Sequence, residues 1–280
     1  MHPSHLELKQ NTWYYLESEF FANEPLHLVH AYLHKNYKIA MHCHQFYEIN
    51  LIVGGEGRHY IDDTSIPTCV GDVFVIPPEA RHGYHTNGQL DIFHIILCSD
   101  FLSHYRDELA AMPCFSLLFD IEPRIRRSAW HSCNLHITPY DLIRIKNDTE
   151  DIIKAEESGK FAYQNALTLA FIGKMGELLQ KSIDQNTLPT EVGELLRVVS
   201  YIQENIDQKL TLDMICARAN MSKSTLNRQF RRALHISPMQ YVTHCRIAKA
   251  REMLAEHRHS KTEIAHACGF YDVAHMNKYI

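Results

Sequence analysis

Four side chains in the first third of the sequence have the types and spacing to hold a metal ion. They read His42-Cys43-His44-x3-Glu48, followed by Gly71-x5-Pro77-x4-His82. Side chains alternate along a strand, so His42 and His44 point to one face, and Glu48 shares their parity. Three imidazoles and one carboxylate suit one divalent first-row transition metal, with open positions left for a ligand. The other reading of these four is a hydrogen-bonded set lining a metal-free pocket. His59, His85 and His94 lie in the same region of a chain with 20 histidines, and the pattern singles out none of them.

A second chemistry sits in the last third. Lys223 to Leu234 reads as a helix in which Leu226 and Phe230, four apart, face inward. Ser222 precedes it as an N-cap whose hydroxyl accepts a free amide. Lys223, Ser224, Thr225, Asn227, Arg228, Arg231 and Arg232 are then left outward, and these types pair with base edges and phosphates in a DNA major groove. Thr211 to Ala219 reads as the preceding helix. Its small Cys216 allows a close crossing, and Asn220 tolerates the left-handed turn after it. The pattern recurs. Ile215-Cys216-x-x-Ala219-Asn220-Met221 is echoed as Ile264-Ala265-x-x-Cys268-Gly269-Phe270, and Leu226, Asn227, Arg228 and Phe230 match Met276, Asn277, Lys278 and Ile280. Two such units joined by a helix, Pro238 to Ala255, can reach successive major grooves about 34 Å apart.

The elements that must position these groups differ between the two regions. Residues 25–98 read as short strands, among them Tyr47–Val53, Arg58–Ile61 and Asp72–Ile76, with Gly54-Gly55, Asp62-Asp63, Pro77-Pro78 and Asn87-Gly88 as turns. That spacing indicates a sandwich or small barrel. From Asp141 helical spacing takes over, with Leu142, Ile145, Thr149, Ile152 and Ile153, then Phe161, Ala166, Leu169, Ile172, Leu178 and Leu179. These helices either cover the barrel or form a dimer seam. The polar, non-periodic stretch after Lys181 reads as a linker. The expected organisation is an arm over 1–20, a barrel over 21–140, helices over 141–181, a linker over 182–191 and an all-α domain over 192–280. The fold class is α+β.

Charge follows the same division. Residues 1–189 carry 15 basic and 24 acidic side chains; residues 190–280 carry 13 and 9, and no acid occurs from Lys223 to Arg251. Only the second region is suited to a polyanion. Eight scattered cysteines without a Cys-x-x-Cys argue against a zinc ribbon or disulfide framework and for a reducing compartment. No apolar window is long enough for a membrane span, and the first residues lack a signal-peptide pattern. A cytoplasmic protein is expected.

The segments Ile236-Ser237-Pro238-Met239-Gln240-Tyr241, Arg246-Ile247-Ala248-x-Ala250-x-x-Met253-Leu254 and Thr262-Glu263-Ile264-Ala265-x-x-Cys268-Gly269-Phe270-Tyr271-Asp272 resemble the AraC/XylS family of bacterial transcription regulators over residues 192–280. The resemblance implies two reading helices, 223–234 and one starting at Asp272. It adds Ser222, Asp272, Ala274, His275, Asn277 and Lys278 to the candidate DNA-reading residues. The family usually shows Ser-Tyr-Phe-Ser-Arg where this chain has Ala274-His275-Met276-Asn277-Lys278, which changes the second reading surface. The sequence stops at Ile280 inside that helix, so the second unit is expected to be truncated. The histidine pattern, in turn, is similar to the two-motif metal signature of cupins, with Glu79 where a glycine is usual and Thr86 where an asparagine is usual.

Together these features lead to a ligand-responsive, sequence-specific transcription regulator that is not an enzyme. An effector enters the cupin-like barrel, a sugar being the class the resemblance suggests, and the arm closes over it. Double-stranded DNA, a second copy of the chain through helices 141–181, and RNA polymerase are the expected partners, with no membrane. A cupin metalloenzyme, an isomerase or dioxygenase with a helical appendage, is the competing class. A third reading is a sensor and dimerisation module with non-specific DNA affinity.

Overall fold

Among the described residues, ten strands and a set of flanking helices make up the first two thirds of the chain. The structure is a computed structural model; it describes all residues except 1–6, 10, 11, 22–25, 37, 113, 128–133, 186 and 256, and leaves out the side chains of 7–9, 12 and 19. Part of the expected arm, residues 1–6, 10 and 11, therefore lies outside the described residues. The chain divides into two units, Met1–Gln185 and Asn186–Ile280.

In the first unit the strands are β1 (Glu7–Lys9), β2 (Thr12–Tyr15), β3 (Val29–His34), β4 (Ile39–His44), β5 (Tyr47–Ile61), β6 (Thr64–Cys69), β7 (Asp72–Ile76), β8 (His82–His85), β9 (Leu90–Leu97) and β10 (Leu135–His136). One side runs β1-β2-β4-β8 to the second half of β5 and on to β6. The other carries β3, β9, the first half of β5, β7 and β10. Strand β5 belongs to both. Glu48–Leu51 pair with β7, while Arg58–Ile61 pair with β8.

This corrects the reading of Gly54-Gly55 as a turn between two strands. The chain stays extended and bends at that point. Gly55 has φ +76°, and a Cβ on it would fall 1.9 Å from the Gln89 carbonyl oxygen. The glycines are needed for a close approach of β9 at a barrel corner, not for a reversal.

Along β5 and β9, alternate residues face two different environments. Glu48, Asn50, His94 and Ile96 face the interior, where Ile52, Phe74, Ile76, Tyr84, Leu90 and Ile92 close one end as a buried cluster. Phe93 faces the other way and meets Phe171 of a covering helix, ring centroids 6.3 Å apart. Four helical segments that the sequence reading did not separate from the barrel follow β9. They are α1 (Ser99–His104), α2 (Arg106–Ala110), a π-helical turn (Leu117–Ile121) and α3 (Glu122–Arg127). Helices α4 (Pro139–Glu157) and α5 (Phe161–Asp184) then pack on each other and on β3, α5 also on β10. Thr138 caps α4 by accepting from the Asp141 amide.

Glu156 anchors α4 to β3. It accepts from the Ala31 amide (2.7 Å) and from Gln164 (3.0 Å), and it meets His30 at 2.6 Å and His27 at 3.3 Å. Burial alone would push its carboxyl up, but His30, the Ala31 amide and His27 outweigh that and hold it below the usual range. A group with a lowered folded pKa contributes stability above its unfolded value and loses it as pH falls through the folded one. Glu156→Gln is therefore expected to destabilise the first unit by about 1–3 kcal/mol at neutral pH. The gap to the parent protein should close on acidification, as read by urea unfolding at a series of pH values.

The second unit begins earlier than expected. Helix α5 runs through Asp184, and α6 (Thr190–Glu204) starts before residue 192, so the connection spans 185–189 rather than 182–191. Ile183, buried, extends the apolar stripe of α5 into what reads as a polar linker. Helix α6 packs against α7 (Leu212–Ala219), α8 (Lys223–Leu234) and α9 (Pro238–Ala255); α10 (Lys261–Ala267) and α11 (Val273–Met276) follow. Thr211 and Ser222 cap α7 and α8, accepting from the Met214 and Thr225 amides. The repeat is visible in the backbone. Asn220 has φ 52° and Gly269 φ +72° at equivalent turns, and Ile215 and Ile264 are both fully buried.

Candidate functional site

The four sequence-selected residues of the barrel come from three strands: His42 and His44 from β4, Glu48 from β5 and His82 from β8. All are buried. One ligand atom each from His42, Glu48 and His82 lie within 4.8 Å of one another. His44 stands slightly apart from that trio and joins through Glu48, its Nε2 being 3.5 Å from Oε2. The His42 and His82 ring centroids are 4.2 Å apart, and those of His44 and His82 5.0 Å.

The three imidazoles are oriented in one way. Their Nδ1 atoms meet backbone carbonyls: His42 that of Ala40 (3.0 Å), His44 that of Phe46 (2.8 Å) and His82 that of Ala80 (3.2 Å). A carbonyl can only accept, so each Nδ1 carries the proton and each neutral ring keeps its lone pair on Nε2. Burial, then the charge of neighbouring His82, push His42 well below its ordinary value; burial also pushes His44 down. The inner end of His44 is a buried Nε2 without a hydrogen-bond partner.

Glu48 receives these rings. Burial would push its carboxyl up, but His44, His82 and His94 hold it well below the usual range, so it is ionised. His82 Nε2 lies 3.0 Å from Oε2, and His94 Nδ1 lies 2.8 Å from Oε1. A lone pair on Nε2 facing a carboxylate needs positive charge between them, either a second proton on the ring or a metal ion. The donor set fits a metal, with His94 orienting the carboxylate from behind.

Strand β2 lies alongside. It pairs in parallel with β4, Trp13 opposite His42 and Tyr15 opposite His44. The Tyr15 ring meets His42 edge-on at 5.1 Å, and the Tyr14 hydroxyl donates to Glu79. Tyr14, Tyr15 and Phe46 are buried, and Phe46 stacks on His44 at 4.3 Å. Deeper in, His59 stacks on Tyr84 at 4.2 Å. His85, by contrast, is exposed.

In the second unit, α8 buries Leu226, Phe230, Ala233 and Leu234 and leaves Lys223, Ser224, Arg228, Arg231 and Arg232 exposed. Thr225 and Asn227 are half-buried, and the Asn227 amide donates to the Lys223 carbonyl at 2.9 Å. Lys223 is itself engaged, its Nζ 2.6 Å from Asp213. Around the second helix the candidates are less uniform. Asp272 is the N-cap of α11, accepting from the His275 amide, and His275 packs between the rings of Phe270 and Tyr279. Asn277 and Lys278 were expected within this helix; α11 ends at Met276 and they occupy the tight turn after it. Ala274 is exposed but brings no hydrogen-bonding group.

Residues 26–150 match the AraC-like ligand binding domain, and residues 215–280 match the helix-turn-helix domain. The chain belongs to the AraC family of transcription regulators. It is similar to the HTH-type transcriptional activator RhaR of Shigella dysenteriae serotype 1 (strain Sd197), 25% identical over 260 residues that cover 92% of this chain and 88% of the relative. The RhaR protein of Escherichia coli O139:H28 (strain E24377A / ETEC) is 24% identical over the same shares. Among solved structures, the DNA-binding domain of AdpA, a global transcriptional factor in complex with a target DNA, is 28% identical, covering 30% of this chain and 77% of that chain with a TM-score of 0.30.

As an AraC-family protein the chain is a ligand-responsive transcription regulator that binds double-stranded DNA. The barrel supplies its ligand-binding domain and helices α7 to α11 its helix-turn-helix domain. Two residues of this AraC-family chain were missed in sequence. His94 contacts Glu48 because Glu48 and Asn50 pair with Ile96 and His94 across β5 and β9, a register no local pattern reveals. Asp213, the second residue of α7, pairs with Lys223, the first residue of α8, a contact between the starts of two helices that no local pattern marks.

Proposed function

We propose that the barrel of this regulator holds one divalent first-row transition metal on His42, His44, Glu48 and His82, and that a small effector binds beside it under strand β2. The observation that carries this reading is the common orientation of three imidazoles. Each spends its proton on a backbone carbonyl and turns a lone pair toward one ionised carboxylate. The metal would supply a Lewis-acidic anchor for an oxygen-bearing effector, which is compatible with a sugar. The residues around it are read as ligands and orienting groups, and no turnover is assigned to them.

The regulator acts as a homodimer through α4 and α5, where Tyr140, Ile143 and Tyr163 are 71%, 70% and 55% exposed. Effector binding can alter DNA occupancy only through a difference in affinity between two arrangements of the reading units. Helix α8 reads the operator with Asn227 and Arg228 while Arg231 and Arg232 meet phosphates. RNA polymerase is the partner through which this changes transcription, in the cytoplasm, with activation as the output suggested by the RhaR relatives.

Elemental analysis of purified protein, chelated and then repleted, tests the metal. About one tightly held ion per chain is expected, with affinity lowered by at least ~10-fold in Glu48→Gln. Failure of the parent protein to take up metal would assign the His82–Glu48 contact to a protonated histidine and leave a metal-free sensor.

A further inference from the structure

A second group of metal-ligating side chains lies at the far end of β7. Glu48 pairs with Ile76 at one end of that strand; Asp72 begins the other, about 13 Å away at ~3.3 Å per residue. One ligand atom each from Cys69, Asp72 and His136 lie within 4.8 Å of one another. We infer that these three residues form a site for a thiophilic divalent cation such as zinc, which ties β10 to the β6–β7 turn.

The donor set is the first argument. A thiolate, an imidazole and a carboxylate are the three side-chain types zinc takes, and three protein ligands leave a fourth position for water. The barrel cluster has no sulfur: Cys43 stands between His42 and His44 on a strand and points to the opposite face. The two sites therefore differ in the cation they favour.

The scaffold is the second. Cys69 and Asp72 flank a two-residue turn, and the Asp72 Oδ2 accepts from the Cys69 amide at 2.9 Å and from Thr68 at 3.2 Å. That leaves Oδ1 facing His136 Nδ1 at 2.8 Å. His136 is the direct cross-strand partner of Asp72. Gly71 has φ +98°, and a Cβ there would fall 2.4 Å from the Ile137 carbonyl and 3.2 Å from His136 Cε1. The glycine thus lets the imidazole lie over the turn. Backbone bonds from Gly71 to Ile52 (2.9 Å) and from Ile137 to Gly71 (2.8 Å) hold both sides.

Accessibility is the third. Cys69 is exposed and the His136 side chain is 51% exposed, so a cation can reach them, while buried Asp72 fixes the base of the site. Because β10 leads through Thr138 into α4, an ion here stiffens the start of the helix pair that covers the barrel.

Cobalt(II) added to chelated full-length protein reads this site selectively. A thiolate-to-cobalt charge-transfer band in the near ultraviolet is expected in the parent protein and in Glu48→Gln. It should vanish in Cys69→Ser, weaken in His136→Ala, and be displaced by zinc. Slower amide exchange over residues 135–142 should accompany zinc binding in the parent protein and not in Cys69→Ser. Absence of the band in the parent protein, or its survival in Cys69→Ser, overturns the inference. Loss of metal from the barrel alone would leave the band intact.

Discussion

Replacing Asn227 and Arg228 together with alanine is expected to lower affinity for a selected operator by about 10³-fold, down to the level of unrelated DNA. Each well-placed contact to a base edge is worth roughly 1–3 kcal/mol of discrimination, and two such contacts span most of the gap between specific and non-specific binding. The substitution leaves the fold in place. Arg228 is exposed and Asn227 half-buried, whereas the packing of α8 depends on Leu226 and Phe230. Surface changes of this kind usually alter stability by less than ~0.5 kcal/mol. Arg232→Ala is the control. Loss of a phosphate contact weakens binding to all sequences alike and reduces the salt slope by about one. Fluorescence anisotropy against selected and scrambled duplexes at several salt concentrations separates the two behaviours. An unchanged preference in the double variant would remove α8 as the reader.

Phe230→Ala has the largest effect on stability. Its ring is fully buried and meets Tyr241 edge-on at 5.9 Å. Removing a buried phenyl ring costs about 3–5 kcal/mol. For a unit of this size, 1 kcal/mol shifts Tm by roughly 4–8 °C, so a fall of ~15 °C or more is expected for residues 186–280. Tyr241 also accepts from Gln203 of α6 at 2.8 Å, so the loss reaches the helix that holds both α7 and α8 in place. Amide exchange resolved along the chain should show the deprotection confined to the second unit. Metal uptake by the barrel should be unchanged. Equal deprotection of both units would contradict the division of the chain at residue 185.

The second unit was legible because its signals are local. Ser222, Asn220 and Pro238 each mark a boundary through chemistry within four residues, and α8 and α9 span the ranges those residues predict. The barrel was legible in type but not in register. Gly54-Gly55 offers the same residues to a turn and to a kink, and only the Gln89 carbonyl beside them decides. The contact between Glu48 and His94 depends on pairing across 46 positions. Lys181, Ser182 and Asp184 look like a linker because the end of a surface helix is polar too. Segments 99–104 and 106–110 are too short for a helical period to stand out.

Strand β5 has a consequence for how the barrel forms. Its first half contributes to one sheet and its second half to the other, so a one-residue slip would turn interior side chains outward in both at once. Neither sheet can be completed with β5 misplaced. The two sheets should then assemble in a single kinetic phase, in which the pairing of β5 with β9 commits the whole barrel. That phase should be slow, since its contacts are distant in sequence, while the helical unit, built from neighbouring segments, refolds much faster. During refolding, DNA-binding competence would thus appear before the ability to sense a ligand.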